Sequence, residues 1–222
     1  GTSCVRFATR WLLEIPVSLI LPAFDLQHAD DAIAVYIGAG LRPILVHAPT
    51  AGGGCTCGQD HKATGKHPIA KNWQKTTTLD DLQDQLARLK FKPNIGIVLG
   101  AQPSGVYLVA IDVDDEARLL VLEGELGKLP ETVRCDSGRG YRLLYELGSE
   151  IAIDSVRNVT GMHGEAGVDC KAEGGQIVVA PSLHKNGKRY VWTRVGEIAK
   201  LPSSWGLELV QRAIPDWARD LT

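Results

Sequence analysis

Residues 105–116 read GVYLVAIDVDDE, and the fold turns on how that stretch divides. Residues 106–111 form an unbroken apolar run containing Val, Tyr and Ile, with Ser104-Gly105 before it and acids after it, the pattern of a buried strand. The strand ends in Asp112-Val113-Asp114. Alternate residues of a strand share a face, so the two carboxylates project together, with Cα atoms roughly 6–7 Å apart. Paired carboxylates repel, and a divalent cation relieves the repulsion. Hard oxygen donors favour Mg²⁺ or Mn²⁺. The same residues also suit a solvated strand end entering a helix, whose N-terminus favours acids. An EF-hand fits poorly, because Arg118 and Leu119 stand where its loop needs a turn and an oxygen ligand.

The 222 residues are 44% hydrophobic and 23% charged with a formal net charge of −2, which suits one globular domain with small appendages. Near neutrality argues against a histone-like or coat-type nucleic-acid binder but leaves room for a basic groove beside an acidic site. The five cysteines, Cys4, Cys55, Cys57, Cys135 and Cys170, form no regular framework. They point to a reducing, cytoplasmic setting in which only Cys55 and Cys57 are close enough to share a metal. The apolar stretch 15–24 is too short to span a membrane and is broken by Pro16 and Pro22, and no signal-peptide pattern precedes it.

Residues 1–24 form an N-terminal extension, with 7–13 a candidate short helix and 15–21 a strand or packing arm. A helix is expected over 25–40, with Gly38 and Gly40 ending it, and a strand over 42–46. Next comes a glycine-rich loop, 52–68, containing CTCGQDHKATGKHP. Cys55, Cys57, His61 and His67 give C-x-C-x3-H-x5-H, a thiolate and imidazole set suited to tetrahedral Zn²⁺, with Asp60 an alternative to His61. A loop with so little apolar content would draw its folding energy from the metal; the alternative is a flexible polar loop. Gly65-Lys66 is not a Walker A, because Asp60 replaces its first glycine and His67 its Ser or Thr.

Thr78 with Asp81 resembles a capping box opening a helix over 79–89, which carries a leucine stripe. Strands are expected over 94–100, 132–135, 141–147, 168–171, 176–180 and 189–192, with a helix over 116–126. Between two of the strands lies Ser137-Gly138-Arg139-Gly140. Glycines at a strand junction let backbone amides approach a phosphate, and Arg139 and Arg142 add cationic donors; an ordinary glycine hairpin would read the same way. The polar connection 156–167 contains His163. Asp169 and Lys171 again share a strand face, and Ser182 and His184 follow the next strand. The Asn186-Gly187 turn carries Lys185, Lys188 and Arg189, suited either to a nucleic-acid backbone or to solvent. From 197 onward the chain reads as helical, with Pro202 and Pro215 as helix starts and Trp205, Leu207, Leu209 and Trp217 as packing residues. The resulting division is an extension over 1–24, a main domain over 25–200 and a C-terminal helical segment over 201–222.

A strand ending in D-x-D, the S-G-x-G turn, and G-V-D-x-K-x-x-G-G-x-I-V-x-x-P-S occur here in that order. Together with the upstream C-x-C-G, G-K-H-P, Trp73 and paired threonines, this order resembles the bifunctional primase-polymerase (Prim-Pol) family of the archaeo-eukaryotic primase superfamily. The resemblance covers about 25–192. It implies an α/β (α+β) fold, with a mainly antiparallel RRM-like sheet flanked by helices and an open face holding Asp112, Asp114 and Asp169 as metal-binding acids. It also implies a basic role for Lys171 and a zinc knuckle at Cys55, Cys57 and His67. The family's second motif usually carries a histidine where Arg142 stands. Arginine keeps bidentate phosphate binding but cannot shuttle a proton. The knuckle often has cysteine where His61 stands, which still permits Zn²⁺.

The activity implied is template-dependent nucleotidyl transfer, as DNA primase, DNA polymerase or both, in phage or plasmid replication in the host cytoplasm. Its cofactors would be Mg²⁺ or Mn²⁺ at the acids and Zn²⁺ in the loop. Its partners would be a single-stranded DNA template and primer and an NTP or dNTP, with a helicase domain a candidate continuation beyond Thr222. Arg142, Lys171, Arg139, Ser137 and His184 would contact the nucleotide. Two other readings stand beside it. One is a non-catalytic RRM-like nucleic-acid-binding module, with Tyr107 and Tyr141 as the main aromatics. The other is a metal-dependent nucleotide phosphohydrolase.

Overall fold

The computed structural model describes residues 19–23, 29–59, 62–75, 78–151 and 156–211. The elements in order are β1 (Ile20–Leu21), α1 (Ala29–Gly38), β2 (Pro43–Val46), α2 (Leu79–Arg88), β3 (Asn94–Val98), β4 (Gly100–Ala101), β5 (Tyr107–Val113), α3 (Glu116–Leu126), β6 (Arg134–Asp136), β7 (Tyr141–Glu146), β8 (Val168–Lys171), β9 (Gln176–Val179), β10 (Val191–Arg194), β11 (Gly196–Glu197) and α4 (Ser203–Gln211). The architecture is α+β, and every pairing between the named strands is antiparallel. The candidate helix over 7–13, the first residues of the helix expected from 25, and Asp60, His61, Pro215 and Trp217 lie outside the described residues.

β5 is the centre. Its apolar residues leave it nothing to expose, so it pairs on both edges: β7 takes one along its length, while β4 and β8 share the other. The larger sheet runs β10-β6-β7-β5-β4 with β8 on β5, and a second sheet runs β2-β3-β9. The two-residue period of β5 sends Tyr107, Val109, Ile111 and Val113 into a core with Trp205 and Leu209 of α4 and Leu119 and Leu122 of α3. Leu108 and Ala110 enter the other core, built with the second sheet, Ile33 and Tyr36 of α1 and Leu82 of α2. Both faces of β5 are therefore covered. The expected open face is corrected: within the strand only Asp112 reaches solvent, and the exposed Asp114 follows just beyond its end.

Local signals hold where the contacts that decide them are local. Thr78 and Asp81 form the capping box, each side chain bonding the other's backbone N–H. Asp115 caps α3 by accepting from Ala117 N (2.9 Å) and Arg118 N (3.2 Å). Some expectations shift, and the strand expected over 94–100 divides into β3 of one sheet and β4 of the other. The last strand begins at Val191 instead of 189, because Arg189 and Tyr190 are taken by the hairpin, through the Leu183–Arg189 bridge and Tyr190 N donating to Ser182 O (2.9 Å). The helical reading from 197 fails at its start, where Gly196–Glu197 pairs with β1; the helix begins at Ser203, directly after Pro202. Leu207 is exposed, while Trp205 and Leu209 are buried. No helix among the described residues is long and apolar enough to cross a membrane.

Candidate active site

Antiparallel register does most of the positioning. Asp112 on β5 lies directly opposite Arg142 on β7 and Asp169 on β8. Residues opposed in this way share a face, with Cβ atoms about 4.5–5.5 Å apart. One row across three strands thus reads Arg142–Asp112–Asp169, and Asp114 follows just beyond the end of β5. Asp114 and Asp115 both donate their backbone N–H to Gly167 O (2.8 and 3.0 Å), which ties the acidic turn to the segment leading into β8.

Each carboxylate faces a cation. Arg139 Nη2 meets Asp114 Oδ2 at 2.6 Å, Lys171 Nζ meets Asp169 Oδ2 at 2.9 Å, and Arg142 Nε faces Asp112 Oδ1 at 3.5 Å. The Arg142 contact is an ion pair without hydrogen-bond geometry, and this buried Nε has no hydrogen-bond partner among the described residues. Arg142 is 5% exposed, and its guanidinium lies 5.2 Å from the centre of the Tyr190 ring. Burial works against its charge, but the Asp112 carboxylate leads the groups that reverse this, and the net shift is upward. A guanidinium fixed in this way beside a carboxylate row is a group of the kind that binds phosphate. The carboxylates of Asp112 and Asp169 on neighbouring strands, with Asp114 in the turn after β5, are hard oxygen donors of the kind Mg²⁺ and Mn²⁺ take. In the present arrangement Asp114 and Asp169 lean toward their own cations. Among the described residues no three His, Cys, Asp or Glu side chains converge as a metal cage.

The glycine turn and the 182–190 hairpin close the site together. Ser137 Oγ accepts from Arg139 N (3.3 Å) and Gly140 N (3.1 Å) and so shapes the turn. A Cβ on Gly140 would lie 2.0 Å from Val113 O, so only glycine lets this turn pass beside the D-x-D backbone. A Cβ on Gly138 would lie 2.4 Å from His184 Nδ1, and Asn186 Nδ2 donates to Gly138 O (2.9 Å). His184 is buried, with its ring edge-on to Tyr190 (centroids 5.8 Å apart). Burial lowers its pKa, and Lys66, Arg142 and Lys185 push the same way against a hydrogen bond with Asn186.

The 47–69 loop contributes a residue that sequence reading passed over. The loop leaves β2 and returns to it: His47 N donates to His67 O (2.7 Å) and Ile69 N to Leu45 O (3.0 Å). Its far corner is pinned from below. Asn94 Nδ2 donates to Gly65 O (2.9 Å), and Gln176 Nε2 donates to Lys66 O (2.9 Å). Lys66 thereby comes under the influence of the acid row. Burial lowers its pKa first, Arg142 adds to that, and Asp112 and Asp114 oppose it. The Gly-Lys pair, discounted because it is not a Walker A, was the available signal.

Cys55 and Cys57 lie together in the loop. Burial pushes the Cys55 thiol up, but hydrogen bonds from the Cys57 and Gly65 backbones and from the Cys57 side chain outweigh it, and the net direction is down. A stabilised thiolate is the form that ligates zinc. His67 sits beside His47, with ring centroids 5.7 Å apart. His61 lies outside the described residues, and Cys55, Cys57 and His67 do not by themselves form a metal cage.

One anchor of Asp169 was also invisible in the sequence. Gly161 N donates to Asp169 Oδ1 (2.8 Å) from the 156–167 connection. Two residues on, His163 sits between Glu125 of α3 and Glu208 of α4, 3.1 Å from each, with its backbone at φ 55°.

Compared with known families, residues 25–204 match the model of the bifunctional DNA primase/polymerase N-terminal domain. No curated protein matches the chain.

Proposed function

The chain belongs to the bifunctional DNA primase/polymerase family, and from that premise we propose that it carries out template-dependent nucleotidyl transfer at the Arg142–Asp112–Asp169 row. The observation that carries the reading is the register, which brings residues from three distant segments into one line. Asp112, Asp114 and Asp169 would hold Mg²⁺ or Mn²⁺, which when bound lowers the pKa of a 3′-hydroxyl and offsets charge on a triphosphate. The chain's own part is binding and orientation. Arg142, fixed by burial and by its ion pair with Asp112, takes a phosphate oxygen. Arg139 and Lys171 now neutralise Asp114 and Asp169; in the loaded site they are released toward the triphosphate, joined by Lys66 and His184. Ser137 holds the turn that carries Arg139. Cys55, Cys57 and His67, with His61 or Asp60, would hold Zn²⁺ and so fix the loop that presents Lys66. The implied setting is replication of a phage or plasmid in the host cytoplasm, on a single-stranded template with or without a primer.

The test is incorporation of labelled dNTPs and NTPs on a single-stranded template, primed and unprimed, in Mg²⁺ and in Mn²⁺. Asp112→Asn is expected to lower incorporation by about 10³-fold, the equivalent of about 4 kcal/mol, while circular dichroism stays unchanged. Full incorporation by that variant would remove the assignment. Release of phosphate from nucleotides without a template would point to a phosphohydrolase. The covered faces of β5 weigh against a stacking module of the RRM kind.

A further inference from the structure

Away from the acid row, the described residues form a concave site. A cleft of about 600 Å³ opens between α1, the 47–69 loop, the residues leading into β3 and the 182–190 hairpin. That volume lies within the range of about 300–1,000 Å³ usual for ligand sites. Its lining combines the Phe91 ring and the aliphatic side chains of Leu86 and Leu183 with two exposed cations, Lys92 and Arg189, against one acid, Asp30. Phe91 is backed by a stacked ring, His47, with centroids 5.6 Å apart and planes 22° apart. His47 is itself held by Thr56 Oγ1 at 2.9 Å from its Nδ1. Arg189 is tethered through Nη1 to Pro181 O (3.1 Å). A supported aromatic ring flanked by cations is the combination that binds an unpaired base together with its phosphates.

The cleft is coupled to the acid row by shared walls. The loop that lines it with Pro49, Thr50 and Thr56 also carries Lys66, and the hairpin that lines it with Leu183 and Arg189 also carries His184. Asn94 ties the two walls together, since it bonds Gly65 O in the loop and both N and O of Leu183 in the hairpin.

We propose that this cleft is a binding site for single-stranded nucleic acid, with a base against Phe91 and backbone phosphates on Lys92 and Arg189. A duplex keeps its bases stacked inside and leaves Phe91 nothing to meet; a single strand offers both the base and the charge. The proposal rests on the nucleotidyl-transfer reading only for its biological sense, because binding at the cleft needs neither the carboxylates nor a divalent ion.

The experiment is fluorescence anisotropy of a labelled oligo(dT) with the full chain, without added divalent ions, over a series of salt concentrations. Phe91→Ala is expected to weaken binding about tenfold and Phe91→Trp to retain it. Lys92→Gln with Arg189→Gln is expected to flatten the slope of log K against log salt by about 1.4, at about 0.7 per lost phosphate contact on a single strand. A merely structural role would not move that slope. Unchanged affinity in Phe91→Ala and an unchanged slope in the double variant would overturn the proposal. So would equal competition by dTMP, which would make the cleft a mononucleotide site. Incorporation assays on the same proteins keep the two readings apart. Cleft-dependent binding without any incorporation would sink nucleotidyl transfer alone, and incorporation that depends on Asp112, with binding indifferent to Phe91, would sink the cleft alone.

Discussion

Strand β8 and the 47–69 loop both deliver charged residues to the same site, and they do so by different physical means. β8 is placed by backbone register: once Val168 pairs with Val113, Asp169 has only one position, opposite Asp112. The loop has no register of its own. Lys66 reaches the site because two side chains from other strands, Asn94 and Gln176, hold the carbonyls of Gly65 and Lys66. The acid row is therefore cooperative with the whole sheet, whereas the loop can be loosened without disturbing the strands.

The largest expected effect is on the register side. Gly140→Ala puts a carbon against Val113 O and should cost about 3 kcal/mol, seen in urea unfolding, together with incorporation. If Gly140→Ala is as stable as the parent, the turn is not packed against the acidic strand as described. Next comes the loop. Asn94→Ala removes three hydrogen bonds from a buried residue and should cost about 2 kcal/mol. Amide exchange is expected to rise in 62–69 and 182–188 while β5 and β7 stay protected, and equal deprotection of β5 would erase the distinction between the two regions. A smaller change is expected from His163→Ala, which leaves Glu125 and Glu208 without their bridge. In buffer acidic enough to protonate the ring, the loss should be no more than about 1 kcal/mol and should shrink in high salt, because such partly exposed pairs are screened. A salt-independent loss would mean that backbone geometry, not charge, sets the contribution.

The smallest is a pH slope. His184 binds its proton less readily when folded, because burial and then Lys66, Arg142 and Lys185 oppose the charge. Below the ordinary value of 6.5 the unfolded chain therefore takes up more protons than the folded one. The stability this neutral ring contributes is complete above that value and is lost as pH falls toward the folded pKa. Chemical denaturation between pH 7 and 5 should show a shallower slope in His184→Gln, and an identical slope would place the titration elsewhere.

Helix α3 and strand β8 could be read to the residue because capping acids, apolar alternation and bounding glycines are all within a few positions of them. The D-x-D stretch could be located for the same reason, although β5 ends at Val113 and leaves Asp114 just beyond it. Arg142 and Asp169 could be nominated but not aligned, because the alignment is a property of β5 pairing on both edges. The places of Lys66, Gly161 and His163 could not be read from their neighbours in sequence: their partners are side chains 8 to 110 residues away on other elements.

By itself, then, the sequence determined which residues carry charge and which local elements carry them, because capping, period and turn chemistry act over a few bonds. Only the tertiary structure decided that the face of β5 would be covered down to Asp112, that the acids would each meet a cation, and that a loop and a hairpin would share walls between two sites. Those outcomes depend on which distant strands pair and on what packs over them, and neither is encoded in any one stretch of chain.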